Sequence, residues 1–258
     1  METNIENNTE NLKKKRTKKE YNLKLFQEPN RIEIGIDEAG AGSFFGSLFI
    51  AGVILPDNIE ELMKGDGKVI IRDSKKMSIK QREYSRKFIE QYALDWYVIE
   101  KKNREIDEIN ILQARLKGFH EVIDNMKIRP DKILMDGDKF NIYYDREGNI
   151  IEHECIIEGD NTYLSIAAAS ILAKTHHDEH IAKLIEENPD YKKYDIHNNM
   201  GYGTSRHIQA IKDFGVTPYH RLSFGICRSF SNGRFTEKEK KIKDEILKSD
   251  ISLFSDEN

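Results

Sequence analysis

The chain has 258 residues, 38% of them hydrophobic and 33% charged, which suits one large domain with a real core. The formal net charge is −4, so affinity for nucleic acid has to come from local basic patches. No apolar run has the length of a membrane span, and the N-terminus lacks the apolar segment of a signal peptide. The two cysteines, Cys155 and Cys227, have no metal-like spacing and are predicted to be free thiols. We therefore expect a cytoplasmic monomer that does not act at a membrane.

The two ends of the chain differ in composition from the part between them. Residues 1–30 are polar and charged without helical or strand periodicity, and the run 13–19 is almost entirely basic. This pattern predicts a disordered tail, which can attract nucleic acid or serve as a nuclear address. Residues 231–258 are predicted to be a charged C-terminal tail, so residues 31–230 are expected to form the folded domain.

The segment 31–56 has the pattern of a strand, a glycine-rich loop and a second strand. Isoleucines alternate with other residues before Asp37, which is the period of a half-buried strand. This strand ends on two adjacent acids, Asp37 and Glu38. At glycines in the following loop the backbone can turn sharply or approach a ligand closely. These glycines are Gly40, Gly42 and Gly46.

Acids recur at the ends of other predicted elements. A predicted strand over residues 132–135 delivers Asp136 into a glycine turn, and Asp178 lies on a helix predicted over residues 163–187. Solvated strand ends would account for isolated acids, but a rigid strand before each acid favours a magnesium site for phosphate chemistry. Carboxylates that converge at a sheet edge repel one another, and divalent ions would neutralise them.

The remaining patterns predict alternating strands and helices, and hence an α/β fold. A capping box of Ser78 and Gln81 begins one helix, and Thr204 caps another that Gly215 ends. Apolar residues at helical spacing predict a helix over 105–126. Two further predictions are a strand over 93–100 and a hairpin formed by 140–144 and 150–157.

The chain resembles the type 2 ribonuclease H family, ribonuclease HII. The matching motifs follow one another in family order and cover roughly residues 31–228. They are GIDEAGAG at 35–42, DSKKMS at 73–78, INILQA at 109–114, LMDGD at 134–138, SIAAASILAK at 165–174 with Asp178 after it, and GYGTSRHIQAIKDFGVTPYHRLSF at 201–224.

The resemblance implies a ribonuclease H-like fold, in which helices flank a central mixed sheet and a helical part follows at the C-terminus. It implies an endoribonuclease of DNA replication and repair that hydrolyses the RNA strand of RNA–DNA hybrids, and also cuts at ribonucleotides embedded in duplex DNA. Two divalent ions, Mg²⁺ or Mn²⁺, would act in the reaction. Water would attack, leaving 5′-phosphate and 3′-hydroxyl ends.

Residue by residue, the resemblance assigns roles to two sets of positions. The metal-binding and catalytic acids would be Asp37, Glu38, Asp136 and Asp178. The substrate-binding residues would be Gly40, Ala41, Gly42, Ser74, Lys75 and Tyr202. Backbone groups around Gly40 and Gly42 would read the ribose 2′-hydroxyl, which separates RNA from DNA. Tyr202 would stack on the next sugar, and Lys75 would contact a phosphate.

The chain departs from the family pattern at three places. Ala41 stands where the family has an arginine, which removes a phosphate contact from the loop. Phe45-Gly46 is closer to the sister type, ribonuclease HIII. Residues 160–163, DNTY, lack a lysine that is common in bacterial members.

Three alternative hypotheses accompany this interpretation. The chain could be a hybrid-binding protein that kept the fold and lost most of the chemistry. His176 and His180, four residues apart on one helix, could be a zinc pair, although no third ligand is obvious and solvent-facing histidines are the preferred explanation. Residues 248–254 resemble a sliding-clamp peptide, with Ile251 and Phe254 three apart, and a frayed or self-docked tail is the competing hypothesis.

Overall fold

The computed structural model describes residues 23–230. The basic run 13–19 and the clamp-like segment 248–254 lie outside the described residues. Residues 23–30, which the sequence assigns to the disordered tail, are instead part of the fold. Leu23 is buried in the core, and Lys24 forms a β-bridge with Tyr163.

Within residues 23–230, strands and helices alternate as an α/β fold requires. The strands are β1 Glu33–Ala39, β2 Leu48–Ile54, β3 Asp95–Lys101, β4 Lys132–Asp136, β5 Tyr143–Tyr144 and β6 Ile150–Ile156. The helices are α1 Ile59–Asp66, α2 Ile79–Tyr92, α3 Asn103–Ile109, α4 Ile111–Asp124, α5 Leu164–Glu187, α6 Ile196–Asn199, α7 Ser205–Phe214 and α8 Cys227–Phe230. Short 3₁₀ turns cover Ser74–Lys76, Gly159–Asn161 and Pro189–Tyr194.

One mixed sheet with the strand order β3-β2-β1-β4-β6-β5 forms the centre of the molecule. β1 is antiparallel to β2 and parallel to β4, where Gly35 lies opposite Leu134. β4 is also parallel to β6, and Asp136 lies opposite Ile156. The carboxyl ends of β1, β4 and β6 therefore meet at one edge of the sheet, the edge at which open α/β sheets bind ligands.

Helices cover both faces of the sheet. On one face α5 packs so closely on β1 that a Cβ added at Gly35 would lie 2.3 Å from the carbonyl carbon of Ser165. On the other face Ile34 and Ile36 join Phe119 and Val122 of α4 in a second core cluster. The prediction of a half-buried β1 is therefore wrong, because both of its faces are covered. Even Glu33 is buried, and its carboxylate accepts the backbone N–H groups of residues 27 and 28.

The predicted helix over 105–126 is interrupted. Asn110 has a φ of 67°, which ends α3, and its side chain accepts the N–H of Gln113 to begin α4. Its ψ of 162° places this backbone in a region that residues other than glycine rarely adopt, so the position is strained. Asparagine is a preferred N-cap, and its capping hydrogen bond helps to hold this conformation. Apolar periodicity alone could not reveal the break, because the core-facing residues continue across it.

Other local predictions are confirmed. The capping box of Ser78 and Gln81 begins α2, and the Thr204 hydroxyl accepts the His207 N–H at the start of α7. The C-terminal helical part packs around Phe45, which β-bridges His220 and lies in a core cluster with the end of α5. No helix within residues 23–230 is long and apolar enough to cross a membrane.

Candidate active site

Three of the predicted acids come together at the carboxyl edge of the sheet. Asp37 and Glu38 close β1, and Asp136 closes the parallel neighbour β4. Asp37 is only 6% exposed, and burial raises its pKa well above the usual range, with the negative charges of Glu38 and Asp136 adding to the rise. The mutual repulsion of these carboxylates shows that they share one small region.

Two serines support Asp37 from the side of α5. The Ser170 hydroxyl hydrogen-bonds the Asp37 carboxylate, and the hydroxyl oxygens of Ser170 and Ser74 lie 3.0 Å apart. The Glu38 N–H also donates to Asp37 Oδ1 at 2.7 Å. Ser74 is 2% exposed, so the structure places this predicted substrate-binding residue behind the acid rather than on the surface.

Only one of the two carboxylate oxygens of Glu38 is paired with Arg115. Its Oε1 atom lies 2.8 Å from Nη2 of Arg115, whereas Oε2 is buried without a hydrogen-bond partner. Burial raises the pKa of Glu38, and the Arg115 guanidinium offsets only part of that rise. An unsatisfied buried carboxylate oxygen costs free energy, and a bound cation would satisfy it.

A fourth acid, Asp160, lies beside Asp136. The N–H of Gly159 donates to Asp136 Oδ1 at 2.7 Å, and the N–H of Asp160 also hydrogen-bonds that carboxylate. Asp160 is 6% exposed, and its pKa is raised by burial and then by the charge of Asp136. Asp160 was not among the acids predicted from the sequence. It lies in the 3₁₀ turn Gly159–Asn161, four residues beyond the end of the third parallel strand, β6.

Lys75 supplies positive charge to this group of acids. Burial disfavours its ammonium, but the carboxylates of Asp160 and Asp37 outweigh that effect and raise the pKa of Lys75. The charges of Asp73 and Asp136 act in the same direction. The Asp73 side chain also caps the 3₁₀ turn that carries Lys75.

Asp178 has different neighbours. Its Oδ2 atom lies 2.9 Å from Nη2 of Arg82, and its Oδ1 atom lies 2.7 Å from Nζ of Lys174, one helical turn earlier on α5. Burial disfavours the carboxylate, but hydrogen bonds from His177 and Lys174 outweigh burial and lower the pKa of Asp178. Two cations thus hold Asp178, unlike the acids at the sheet edge.

The glycine loop after β1 lies against Tyr202. The Gly40 N–H donates to the Tyr202 hydroxyl at 3.2 Å, and a Cβ at Gly42 would be 3.9 Å from the tyrosine ring. Gly40 has a φ of 89°, and a Cβ there would come within 2.5 Å of the His177 ring. The loop therefore requires glycine at position 40 both for its backbone conformation and for its packing.

A buried arginine fixes the far side of the same loop. Arg221 is fully buried, and its guanidinium donates to the carbonyls of Ala41 and Gly46 at 3.1 and 3.0 Å. Its backbone N–H donates to the carbonyl of Phe44. Burial lowers the pKa of Arg221 to about 10, still far above neutrality, so the group stays charged. Ala41 is partly buried among apolar neighbours.

The predicted solvent exposure of His176 and His180 is wrong. Their side chains are 24% and 18% exposed, and burial lowers the pKa of both. The nearest acid oxygens belong to Glu90 for His176 and to Glu100 for His180, at 3.8 and 3.7 Å, beyond hydrogen-bond distance. The two rings thus have different acids as neighbours, which does not favour a zinc pair.

The acids at the sheet edge suit a hard divalent cation. Carboxylate oxygens are the preferred ligands of Mg²⁺ and Mn²⁺, and Oε2 of Glu38 is free to bind one. Within residues 23–230 no three His, Cys, Asp or Glu side chains are arranged to hold a metal ion as they stand. These carboxylates are instead engaged by backbone N–H groups and by Arg115.

The fold and the site together define a class of protein. A mixed sheet that brings acids from parallel strands to one edge, beside a glycine loop, is the arrangement of a ribonuclease H-like nuclease. Solved structures agree with this fold. Ribonuclease H2 from Pyrococcus horikoshii OT3 superposes with a TM-score of 0.62 at 24% identity, over 77% of this chain and 96% of that one. Ribonuclease HII from Archaeoglobus fulgidus, solved as a complex with PCNA, gives a TM-score of 0.59 at 25% identity, over 75% and 95% of the two chains.

Sequence comparison identifies the family. The ribonuclease HII family model matches residues 34–227. Ribonuclease HII from Cytophaga hutchinsonii is 43% identical over 206 residues, which are 80% of this chain and 95% of that protein. The chain belongs to the ribonuclease HII family, whose members are metal-dependent endoribonucleases that cut the RNA strand of RNA–DNA hybrids.

Proposed function

We propose that Asp37, Glu38, Asp136 and Asp160 form the catalytic acid group and bind two divalent ions, Mg²⁺ or Mn²⁺. Acids at the ends of β1 and β4 and an acid in the 3₁₀ turn after β6 converge on one region, and this convergence carries the proposal. Asp160 replaces Asp178 in the set that the sequence suggested, because Asp178 is already paired with Arg82 and Lys174.

When bound, the ions would activate a water molecule and stabilise the leaving oxygen. The chain's own residues position the carboxylates and partly offset the burial that disfavours their charged forms. Ser170 and the Glu38 N–H stabilise the ionised form of Asp37, and the N–H groups before α5 do the same for Asp136. Because water attacks rather than the 2′-hydroxyl, the products carry 5′-phosphate and 3′-hydroxyl ends.

The loop and Tyr202 would supply recognition of the ribonucleotide. The Gly40 N–H now bonds the Tyr202 hydroxyl, so both groups face the same small space beside the acids. A ribose 2′-hydroxyl, which both donates and accepts, could take the place of either partner. Tyr202 is 36% exposed and presents its ring for stacking on the following sugar. Lys75 would contact a backbone phosphate.

We propose that the substrates include both long hybrids and DNA duplexes with a single embedded ribonucleotide. Backbone recognition of one 2′-hydroxyl needs only one ribonucleotide. The test compares cleavage of three labelled duplexes: a hybrid, a DNA duplex with one ribonucleotide, and an all-DNA duplex as control. We expect cleavage of the first two, with Mg²⁺ or Mn²⁺ and not in EDTA. Binding of the hybrid without cleavage would favour the binding-protein alternative.

Contact with a sliding clamp is a separate proposal. The Archaeoglobus fulgidus relative was solved with PCNA, and residues 248–254 of this chain resemble a clamp peptide, with Ile251 and Phe254 three apart. We propose weak binding of this tail to the clamp of the source organism. Titration of a peptide of residues 244–258 should show saturable binding that Phe254→Ala abolishes. Binding that is absent, or unchanged by the substitution, would refute the proposal.

A further inference from the structure

Arg115 of α4 lies directly against the acid group. Its Nη2 atom is 2.8 Å from Glu38 Oε1, and the two side chains are 23% and 12% exposed. Its guanidinium lies over the ring of Phe119, with 5.7 Å between the guanidinium carbon and the ring centroid. A Cβ at Gly137 would be 3.8 Å from Nη2, so the guanidinium also borders the turn after Asp136.

This ion pair competes with the proposed metal site. Oε1 of Glu38 is paired with Arg115, and only Oε2 has no hydrogen-bond partner. Burial raises the pKa of Asp136, and the Arg115 charge is one of the influences that partly offset that rise. A cation that engages both Glu38 oxygens has to displace the guanidinium, so the pair reduces the affinity of the site for metal by its own interaction free energy.

The guanidinium is well suited to a second partner. Its Nε–H is buried without a hydrogen-bond partner, and its planar fork of donors matches a phosphate group. The glycine loop on the other side of Glu38 has no cation of its own, because position 41 is alanine. A guanidinium released at this edge would meet the backbone phosphates of a duplex bound over the acids.

We propose that Arg115 is an exchangeable counter-charge. It neutralises Glu38 in the metal-free protein and passes to a backbone phosphate of the nucleic acid once a divalent ion binds. The proposal rests on the proposed function for the location of the metal site. It requires that loss of Arg115 strengthens metal binding and weakens nucleic-acid binding, two effects of opposite sign.

The first test measures metal affinity without nucleic acid. Calorimetric titration of Mn²⁺ into the Arg115→Met variant should give a dissociation constant at least ~3-fold lower than in the unchanged protein, as expected for the loss of one partly exposed ion pair. Lys117→Met is the matched control. Lys117 lies on the same helix, 61% exposed, and pairs with Glu105 and Glu121 instead. It should leave the affinity for Mn²⁺ unchanged.

The second test measures the phosphate contact with an all-DNA duplex, which is bound through its backbone and is not cut. In Mn²⁺ the slope of log affinity against log salt should be shallower for Arg115→Met by about 0.9, the loss of one phosphate contact. In EDTA the unchanged protein and Arg115→Met should have the same slope, because Arg115 of the unchanged protein is then paired with Glu38 and does not contact a phosphate. Arg115→Lys keeps the charge, so its slope in Mn²⁺ should equal that of the unchanged protein. This variant replaces Arg115→Met in the test if Arg115→Met does not fold.

Two results would overturn the proposal. One is a Mn²⁺ affinity that is unchanged or weaker in Arg115→Met. The other is a slope that falls equally in Mn²⁺ and EDTA, which would make Arg115 a permanent phosphate contact. Neither result affects the proposed function, which fails only if the unchanged protein does not cut the hybrid.

Discussion

His207 and His220 meet through their Nε2 atoms, 3.0 Å apart in the buried interior beneath the glycine loop. The Thr217 N–H donates to His220 Nδ1, so the proton of the neutral His220 ring lies on Nε2 and is donated to His207. His207 then has its proton on Nδ1 and donates it to the Tyr202 carbonyl, 3.0 Å away. With both rings neutral, a chain of hydrogen bonds thus connects the buried histidine pair to Tyr202, which we propose binds the substrate.

This pair predicts a loss of stability in weak acid. Burial lowers the pKa of His220 well below its ordinary value and also lowers that of His207. Because the unfolded chain takes up these protons first, the contribution to the unfolding free energy is complete above pH ~6.5 and is lost as the pH falls toward the lower folded-state pKa values, by up to about 1.4 kcal/mol per pH unit for each histidine.

Denaturant unfolding of the unchanged protein and His220→Asn between pH 7.5 and 5 tests this. The acids with raised pKa values act in the opposite direction, but they are common to both proteins and cancel in the comparison. The variant should be less stable at pH 7.5 and should lose less stability on acidification. Parallel pH profiles would show that the pair does not titrate as we expect.

The acids at the sheet edge should be needed for activity and not for folding. Asp37→Asn and Asp136→Asn should each reduce metal-dependent cleavage of a hybrid by about 10³-fold, the equivalent of several kcal/mol of lost charge stabilisation. The free energy of unfolding of each variant should equal or exceed that of the unchanged protein. Each substitution removes a carboxylate whose charged form is disfavoured by burial. Initial rates and thermal unfolding give the two measurements. Asp213→Asn, on the exposed face of α7, is the control for a general charge change.

Asp160 and Asp178 should respond in opposite ways. Asp160→Asn should reduce cleavage by at least ~100-fold while leaving stability almost unchanged. Asp178→Asn should cost about 1–3 kcal/mol of stability, because Arg82 and Lys174 lose a charged partner. Its folded fraction should keep most of its activity. If Asp178→Asn abolishes cleavage in fully folded protein, Asp178 belongs to the acid group as the sequence suggested.

Restoring an arginine in the glycine loop should strengthen binding. Ala41→Arg should lower the dissociation constant for a duplex and make the slope of log affinity against log salt steeper by about 0.9, the gain of one phosphate contact. The Ala41 carbonyl, which accepts from Arg221, is a backbone group and is unaffected by the substitution. Anisotropy titrations of an uncut duplex measure both quantities, and Ala41→Gln controls for size. A change in neither quantity would show that the loop lies away from the phosphates.

Much of the framework could be predicted from the sequence because its signals are local. The capping box at Ser78 and the N-cap at Thr204 involve residues three apart, and both are confirmed. The convergence of Asp37 and Asp136 was also predictable, since each follows an apolar strand that a rigid sheet then positions. The resemblance to a known family supplied the functional interpretation that local patterns alone do not contain.

Asp160 could not be recognised in the same way. The hairpin pattern pairs β6 with its sequence neighbour β5, whereas the parallel pairing of β6 with β4 brings Asp160 to Asp136. Parallel pairing is a non-local contact that no short motif encodes. The ion pairs of Asp178 are missed for the same reason, because Arg82 comes from a different helix.

The close contact between Gly35 and Ser165 sets the distance between β1 and α5, and with it the relative positions of the acids at the sheet edge. Asp37 is two residues after Gly35 on the strand, and Asp160 lies in the 3₁₀ turn that leads into the helix packed against Gly35. A single added methyl group would have to push backbone against backbone, and the two halves of the acid group would separate with the helix. The packing of α5 on β1 and the alignment of the catalytic acids are therefore coupled. A substitution at position 35 that changes the packing also changes the alignment.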